Sequence, residues 1–331
     1  MTLPDPFPVA RYRLHARVLR AVHWPEYEGS ALRGLWGHAL RAMACATGQV
    51  MCQGCTLAPR CSYSSLFEPA PPAGARSYGD LTPPYVIEPS QAGGSRTLAP
   101  GDTYSFDLVL FGRGLAELPL VLRSWRHALA GDIGPSRGAM RLERVEWLEG
   151  AEGPLDVAEM TPQGLSEVAR HRPAVALPSS TLVPRRAWVE WSTPVFVKRG
   201  GRPLEPGTFG ASDFAWAVVR RVAEVCELHL GEPTGMDFKS LKLAAAQLRF
   251  ISPRFQHCAF SRWSNRQQQA MRLEGIVGGA LIDGPLEPFW PLLHLGQWLH
   301  AGGKTSFGLG RYHLRPVAPA SAMQAFLEDQ T

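Results

Sequence analysis

The first pattern in the chain is a two-residue alternation. From Val9 to Trp24 apolar positions interleave with Arg11, Arg13, His15 and Arg17. That spacing predicts a strand with one buried face and one cationic face. At Gly29-Ser30 the period lengthens to that of a helix, which is expected to run to about Ala46 with Ser30 as its N-cap. Leu32, Trp36, Ala39 and Met43 share one side of it; Gly34, His38 and Arg41 share the other, with Arg33 at the edge. Alternation returns over 84–89 and 103–111, predicting two strands. Leu118, Leu122, Trp125 and Leu129 then mark a helix over 115–130, with Pro119 in its first turn, where proline is tolerated. A strand over 140–148 completes the order βαββαβ, the split-βαβ unit of the ferredoxin-like fold.

Residues 150–184 are rich in Pro, Ser, Ala and charge and read as a junction. Beyond them the plan repeats. A strand is expected over 187–198 and a helix over 211–230, with Phe214, Val218, Val222 and Val225 in one stripe. A short helix over 240–249, a strand pair over 254–263 and 271–282, a helix over 286–299 and a strand over 307–314 follow. The expected fold is α+β: two tandem ferredoxin-like domains, over 1–180 and 185–331, with a cysteine-rich insertion at 45–68 after the first helix.

Charge adds a partner class. The formal net charge is +5, and of 34 Lys+Arg only Lys198, Lys239, Lys242 and Lys304 are lysine. A modest positive balance carried mostly by arginine suits phosphate, which the guanidinium fork grips with two hydrogen bonds. No run of eighteen apolar residues is present, so no membrane-spanning helix is expected, and the N-terminus lacks a basic-then-apolar leader. A cytoplasmic protein is the expectation.

Cys45, Cys52, Cys55 and Cys61 form C-x6-C-x2-C-x5-C. Four thiolates at this spacing can satisfy tetrahedral zinc, and an iron–sulfur cluster is compatible with the same ligands. Structural zinc is the expectation, with no catalytic metal. Four reduced, metal-free cysteines are the plainer alternative. Cys226 and Cys258 read as small buried apolar residues.

The most distinctive segment is Gly302-Gly303-Lys304-Thr305-Ser306-Phe307-Gly308-Leu309-Gly310-Arg311. Its glycines let backbone N–H groups approach phosphate closely, and Lys304 adds a point charge. It is not a nucleotide-hydrolase P-loop: the glycine spacing differs, and it precedes a strand instead of opening a helix. A turn that only permits tight packing is the alternative.

This loop resembles the C-terminal signature of the CRISPR precursor-processing endoribonucleases of the repeat-associated mysterious protein (RAMP) superfamily. The segments 29–41, 61–68, 83–89, 131–137 and Arg262-Trp263-Ser264-Asn265-Arg266-Gln267 look like the same branch. The resemblance implies two ferredoxin-like domains, recognition of a repeat-derived RNA, and one metal-free cut per repeat. A catalytically silent RNA-binding subunit of a CRISPR effector is the alternative within the superfamily, and other effector subunits are possible partners.

Metal-free cleavage uses the neighbouring 2′-OH as nucleophile. A base removes its proton, an acid protonates the departing 5′ oxygen, and cations offset charge on phosphorus. Histidine is the natural acid or base. His38, flanked by arginines on a polar helix face, is the first candidate, and the resemblance points to a histidine on this helix. His300 and Lys304 are the further catalytic candidates, with His23 and Tyr27 in reserve. Arg33, Arg41, Arg262, Arg266, Gly302, Gly303, Ser306, Gly308, Gly310 and Arg311 are the expected RNA contacts.

Overall fold

The computed structural model describes residues 2–317 except 50, 70–80, 91–92, 162–163, 179–182 and 265–268. In chain order the first half forms β1 (Val9–Arg20), β2 (Val22–Trp24), α1 (Glu28–Ala44), α2 (Ser62–Phe67), β3 (Tyr85–Glu88), β4 (Arg96–Leu98), β5 (Thr103–Phe111), α3 (Arg113–Ala116), α4 (Leu118–Ala130), β6 (Ala139–Trp147), β7 (Leu155–Thr161) and β8 (Gly164–Glu167). The second half forms β9 (Arg186–Val195), β10 (Lys198–Arg199), β11 (Arg202–Pro203), α5 (Ala211–Val225), α6 (Phe238–Ala245), β12 (Arg249–Ser264), β13 (Gln269–Asp283), α7 (Trp290–Leu299) and β14 (Tyr312–Val317).

Strand order carries the topology. The first sheet runs β3-β5-β1-β6-β7-β8 and the second β12-β13-β9-β14. In each, the first strand of the unit lies between its third and fourth and the second lies outside, with neighbouring strands antiparallel. Both are ferredoxin-like sheets, as the α+β reading expects.

Several local expectations are corrected. Residues 150–184 are not only a junction: β7 and β8 extend the first sheet, because alternation over 155–161 lets β7 cover the open edge of β6. Helix α1 starts at Glu28 with Tyr27 as N-cap, so Ser30 lies inside it. Met43 is 43% exposed, past the point where α1 meets the sheet. The last strand starts at Tyr312; Thr305–Phe307 is instead a 3₁₀ turn.

Helices α1 and α4 pack on one face of the first sheet. Trp36 stacks on Trp125 with ring centres 5.4 Å apart, and its indole N–H donates to Ser124 Oγ at 2.8 Å. A buried indole of this kind contributes about 3–5 kcal/mol. Glu28, 1% exposed, anchors the start of α1: its carboxylate accepts from Arg96 Nε at 2.7 Å and from the Tyr104 hydroxyl at 2.9 Å.

The two domains share apolar surface. Val9, Val86, Val109 and Phe111 of the first sheet, with Phe7 just before β1, belong to the core formed by α5, α7 and the second sheet. The joint is close-fitting. A Cβ on Gly29 of α1 would lie 2.1 Å from the Phe307 carbonyl oxygen, whereas one on Gly34 meets nothing within 4 Å. Gly29→Ala should therefore destabilise the chain by about 1–3 kcal/mol through overpacking. Gly34→Ala should stabilise it by up to about 1 kcal/mol through helix propensity. Urea denaturation of both variants checks the pair.

Candidate RNA-binding groove and its joint

An open groove of ≈ 2970 Å³ lies between the domains. One wall is α1 with His38, Arg33, Arg41 and Gly34; the other is α5, the segment after β9 and the loop 302–307. Along α5 the lining residues are Ser212, Asp213, Trp216, Ala217, Arg220, Arg221 and Glu224, a helical face. Among the described residues, eight Lys or Arg line the groove against four Asp or Glu, so its field favours a polyanion.

His38 is exposed and opens onto this groove. Arg33, on the same helix, is held between two rings: its guanidinium is 4.2 Å from the centre of Phe67 and 4.6 Å from that of Phe307. It thereby ties α1 to the glycine-rich loop. Arg41 lies over Tyr63 at 5.5 Å. Lys304, at φ 60°, donates to the Arg272 carbonyl at 2.9 Å and sits 4.5 Å from the centre of the Phe196 ring. His23 lines the groove and is within 2.6 Å of Thr97 Oγ1. Tyr27 also borders the groove but is buried and stacked on Phe260, and burial pushes its phenol far up.

The glycine-rich loop is divided. Gly302, Gly303 and Lys304 are half-buried and line the groove. Thr305 and Ser306 also border it but are buried. Gly308 and Gly310, also expected on RNA, are buried and are not among its lining residues. Gly308, at φ +91°, lies under β3, where a Cβ would meet the Ile87 carbonyl oxygen at 2.4 Å; at Gly310, at φ +77°, one would meet the Ala301 carbonyl oxygen at 1.9 Å. Packing against the first domain requires glycine at 308, and packing within the second requires it at 310.

His300 is likewise not among the residues that line the groove. It is 0% exposed, with Nε2 2.8 Å from Glu88 Oε1 and Nδ1 3.0 Å from the Leu309 carbonyl oxygen. Arg311, expected on RNA, turns inward to Glu88 at 3.6 Å. Arg11 completes this cluster, donating to Glu88 from Nε at 2.8 Å and Nη2 at 2.9 Å. Burial pushes the Glu88 carboxyl up, but Arg11, the His300 hydrogen bond and Arg311 outweigh it and hold it well below the usual carboxylate range. Nothing in the one-dimensional pattern marked Glu88; a lone acid in an otherwise apolar strand was the available signal.

The cationic face of β1 is also neutralised. Arg13 pairs with Asp107, His15 with Glu146 and Arg17 with Glu143, each on a neighbouring strand. Arg266 and the side chain of Arg262 lie outside the described residues.

Cys45, Cys52, Cys55 and Cys61 all line one cavity of ≈ 330 Å³ beyond the end of α1. Thr47 Oγ1 lies 3.8 Å from Cys45 Sγ and 3.7 Å from Cys55 Sγ. Among the described residues, no three His, Cys, Asp or Glu side chains are gathered closely enough to share an ion.

Two ferredoxin-like sheets thus flank a cationic groove, with the loop 302–307 in one wall. The family model of the CRISPR-associated endoribonuclease Cas6 matches residues 189–312. The second domain thus matches the Cas6 endoribonuclease family. A family model described as an N-terminal domain matches residues 7–171. No curated protein matches in sequence. Among solved structures, a Cas6 product complex is 18% identical with a TM-score of 0.55, covering 92% of this chain and 99% of that one. A chain of a partial Cas6-RT-Cas1–Cas2 complex is 15% identical with a TM-score of 0.57, covering 96% of this chain and 48% of that one. Both share the fold.

Proposed function

We propose that this protein cuts CRISPR repeat RNA in precursor transcripts, holding the RNA in the interdomain groove and cleaving it without a catalytic metal. The observation that carries this reading is the position of His38: exposed, on the wall of a groove lined by twice as many cations as anions. The 2′-oxygen attacks its own phosphate, forming O2′–P and breaking P–O5′. His38 accepts the 2′-OH proton or supplies one to the departing O5′. Lys304, Arg33 and Arg41 offset the charge growing on phosphorus. The products are a 2′,3′-cyclic phosphate and a 5′-OH.

A labelled repeat RNA should be cut in EDTA, and a single 2′-deoxy substitution at the cut position should abolish the cut. Cleavage of the deoxy RNA would overturn the mechanism. Binding without cleavage of any repeat would favour the silent-subunit alternative. The likeness to one part of a Cas6-RT-Cas1–Cas2 chain supports assembly with further CRISPR proteins. A cytoplasmic location belongs to the same reading. Among the described residues, no helix is long and apolar enough to cross a membrane.

The four cysteines are proposed to hold structural zinc. Their spacing and shared cavity support this, binding would have to draw the thiolates closer than they stand here, and a closed tetrahedral set would leave no open position for catalysis. Metal analysis of the purified chain should give about one zinc per molecule. A metal-free, fully folded chain would reduce the cavity to a packed loop.

A further inference from the structure

The cluster around Glu88 contains a proton that the proposed chemistry does not use. His300 is fully buried, and both of its ring nitrogens face oxygen: the Leu309 carbonyl at 3.0 Å and the Glu88 carboxylate at 2.8 Å. A carbonyl oxygen only accepts, and so does an ionised carboxylate. Two acceptors require two N–H donors, and a neutral imidazole has one. The extra proton has two places to sit, Glu88 or His300. Arg11 donates twice to Glu88, and Arg311 lies 3.6 Å away. These cations keep Glu88 an anion, which leaves the proton on the ring.

Opposing influences are all local. Burial, the largest influence, lowers the His300 pKa, Glu88 raises it and Arg311 lowers it, and the balance of these influences is downward. Behind Glu88 stands Arg11, itself paired with Glu149 at 3.8 Å. His313 is the other histidine within the field of Glu88, Arg11 and Arg311. The hydrogen-bond pattern decides between these influences, because a neutral ring would set a lone pair against an oxygen at one of its two contacts.

The partners come from both domains. Glu88 and Arg11 belong to β3 and β1 of the first; His300 ends α7 of the second, and Leu309 lies in its glycine-rich loop. Arg11 Nη2 also donates to the Gln297 carbonyl in α7 at 2.9 Å. We infer that His300 is a buried imidazolium acting as a positioning residue, which clamps the glycine-rich loop to Glu88 of the first domain and so sets Lys304 in the groove that His38 lines. The inference rests on the proposed RNA processing for its kinetic consequence only. The clamp itself needs no RNA.

The test uses the full chain labelled with 15N-histidine. At pH 7 one ring, identified by its loss in His300→Asn, should show protons on both nitrogens. In Glu88→Gln the same ring should carry a proton on Nδ1 alone. A singly protonated His300 in the wild-type protein would overturn the clamp, and that measurement stands even where a variant fails to fold. In the cleavage assay, His300→Ala should lower kcat about 10²-fold, the cost of misplacing a group by about 1 Å. Binding of the 2′-deoxy repeat should be retained, and His300→Gln, which keeps one donor, should recover part of the rate. An unchanged kcat, or an equal loss in kcat and in binding, would sink the positioning role. A wild-type chain that cuts no RNA would count against the processing reading and leave the protonation result intact.

Discussion

Replacing His38 by alanine is expected to slow repeat cleavage about 10²–10⁴-fold, the usual contribution of a positioned acid or base. RNA binding should stay close to that of the unaltered protein. The reason is geometric. His38 is exposed and the described contacts do not use it to hold the fold, so truncation removes chemistry without creating a cavity. The grip on RNA comes from backbone and cations elsewhere in the groove. Single-turnover cleavage with enzyme in excess separates the two effects. A rate near that of the unaltered protein would remove His38 from the mechanism and move attention to His23, the other groove-lining histidine among the described residues.

Glu88→Ala should cost the fold about 3–5 kcal/mol, as expected when one partner of a buried charge cluster is removed. Arg11, His300 and Arg311 would be left around an empty site with no anion. Chemical denaturation measures the loss, and its pH dependence has a definite sign. The folded Glu88 carboxyl is held well below its ordinary value. Its stabilisation is therefore full above the unfolded carboxylate pKa of about 4.3 and is lost only as pH falls toward the much lower folded value. The carboxylate's own share of the difference between wild type and variant should persist down to about pH 4 and shrink in stronger acid, while the share carried by His300, which loses its counter-ion in the variant, should grow as pH falls through the imidazole range near about 6.5. A difference that failed to shrink in strong acid would contradict the cluster.

Much of the architecture was legible before any coordinates. The strand at 103–111 and the helices near 118 and 211 fall where alternation and the longer period place them. The hairpin of β7 and β8 was not legible. A short alternating run after a Gly/Pro-rich stretch has no local mark of pairing, and only the open edge of β6 gives it a partner. The cationic face of β1 was misleading in another way: the arginines are there, but carboxylates on adjacent strands neutralise them.

The glycine-rich loop shows the same division within one motif. Its composition marked an unusual backbone correctly, because positive φ and close approach leave a direct trace in residue type. It did not say what comes close. Gly302 and Gly303 border the groove, while Gly308 and Gly310 meet protein carbonyls. His300 was noticed as a histidine beside Lys304, yet its partner Glu88 is 212 positions away.

Element order, domain plan and the polar face bearing His38 were set by local periodicity, which is a property of neighbouring residues and survives in one dimension. Which charges reach RNA and which are spent on one another depended on the packing of two domains. A carboxylate far along the chain turns an apparent surface cation into a buried clamp, and only the folded molecule brings the two together.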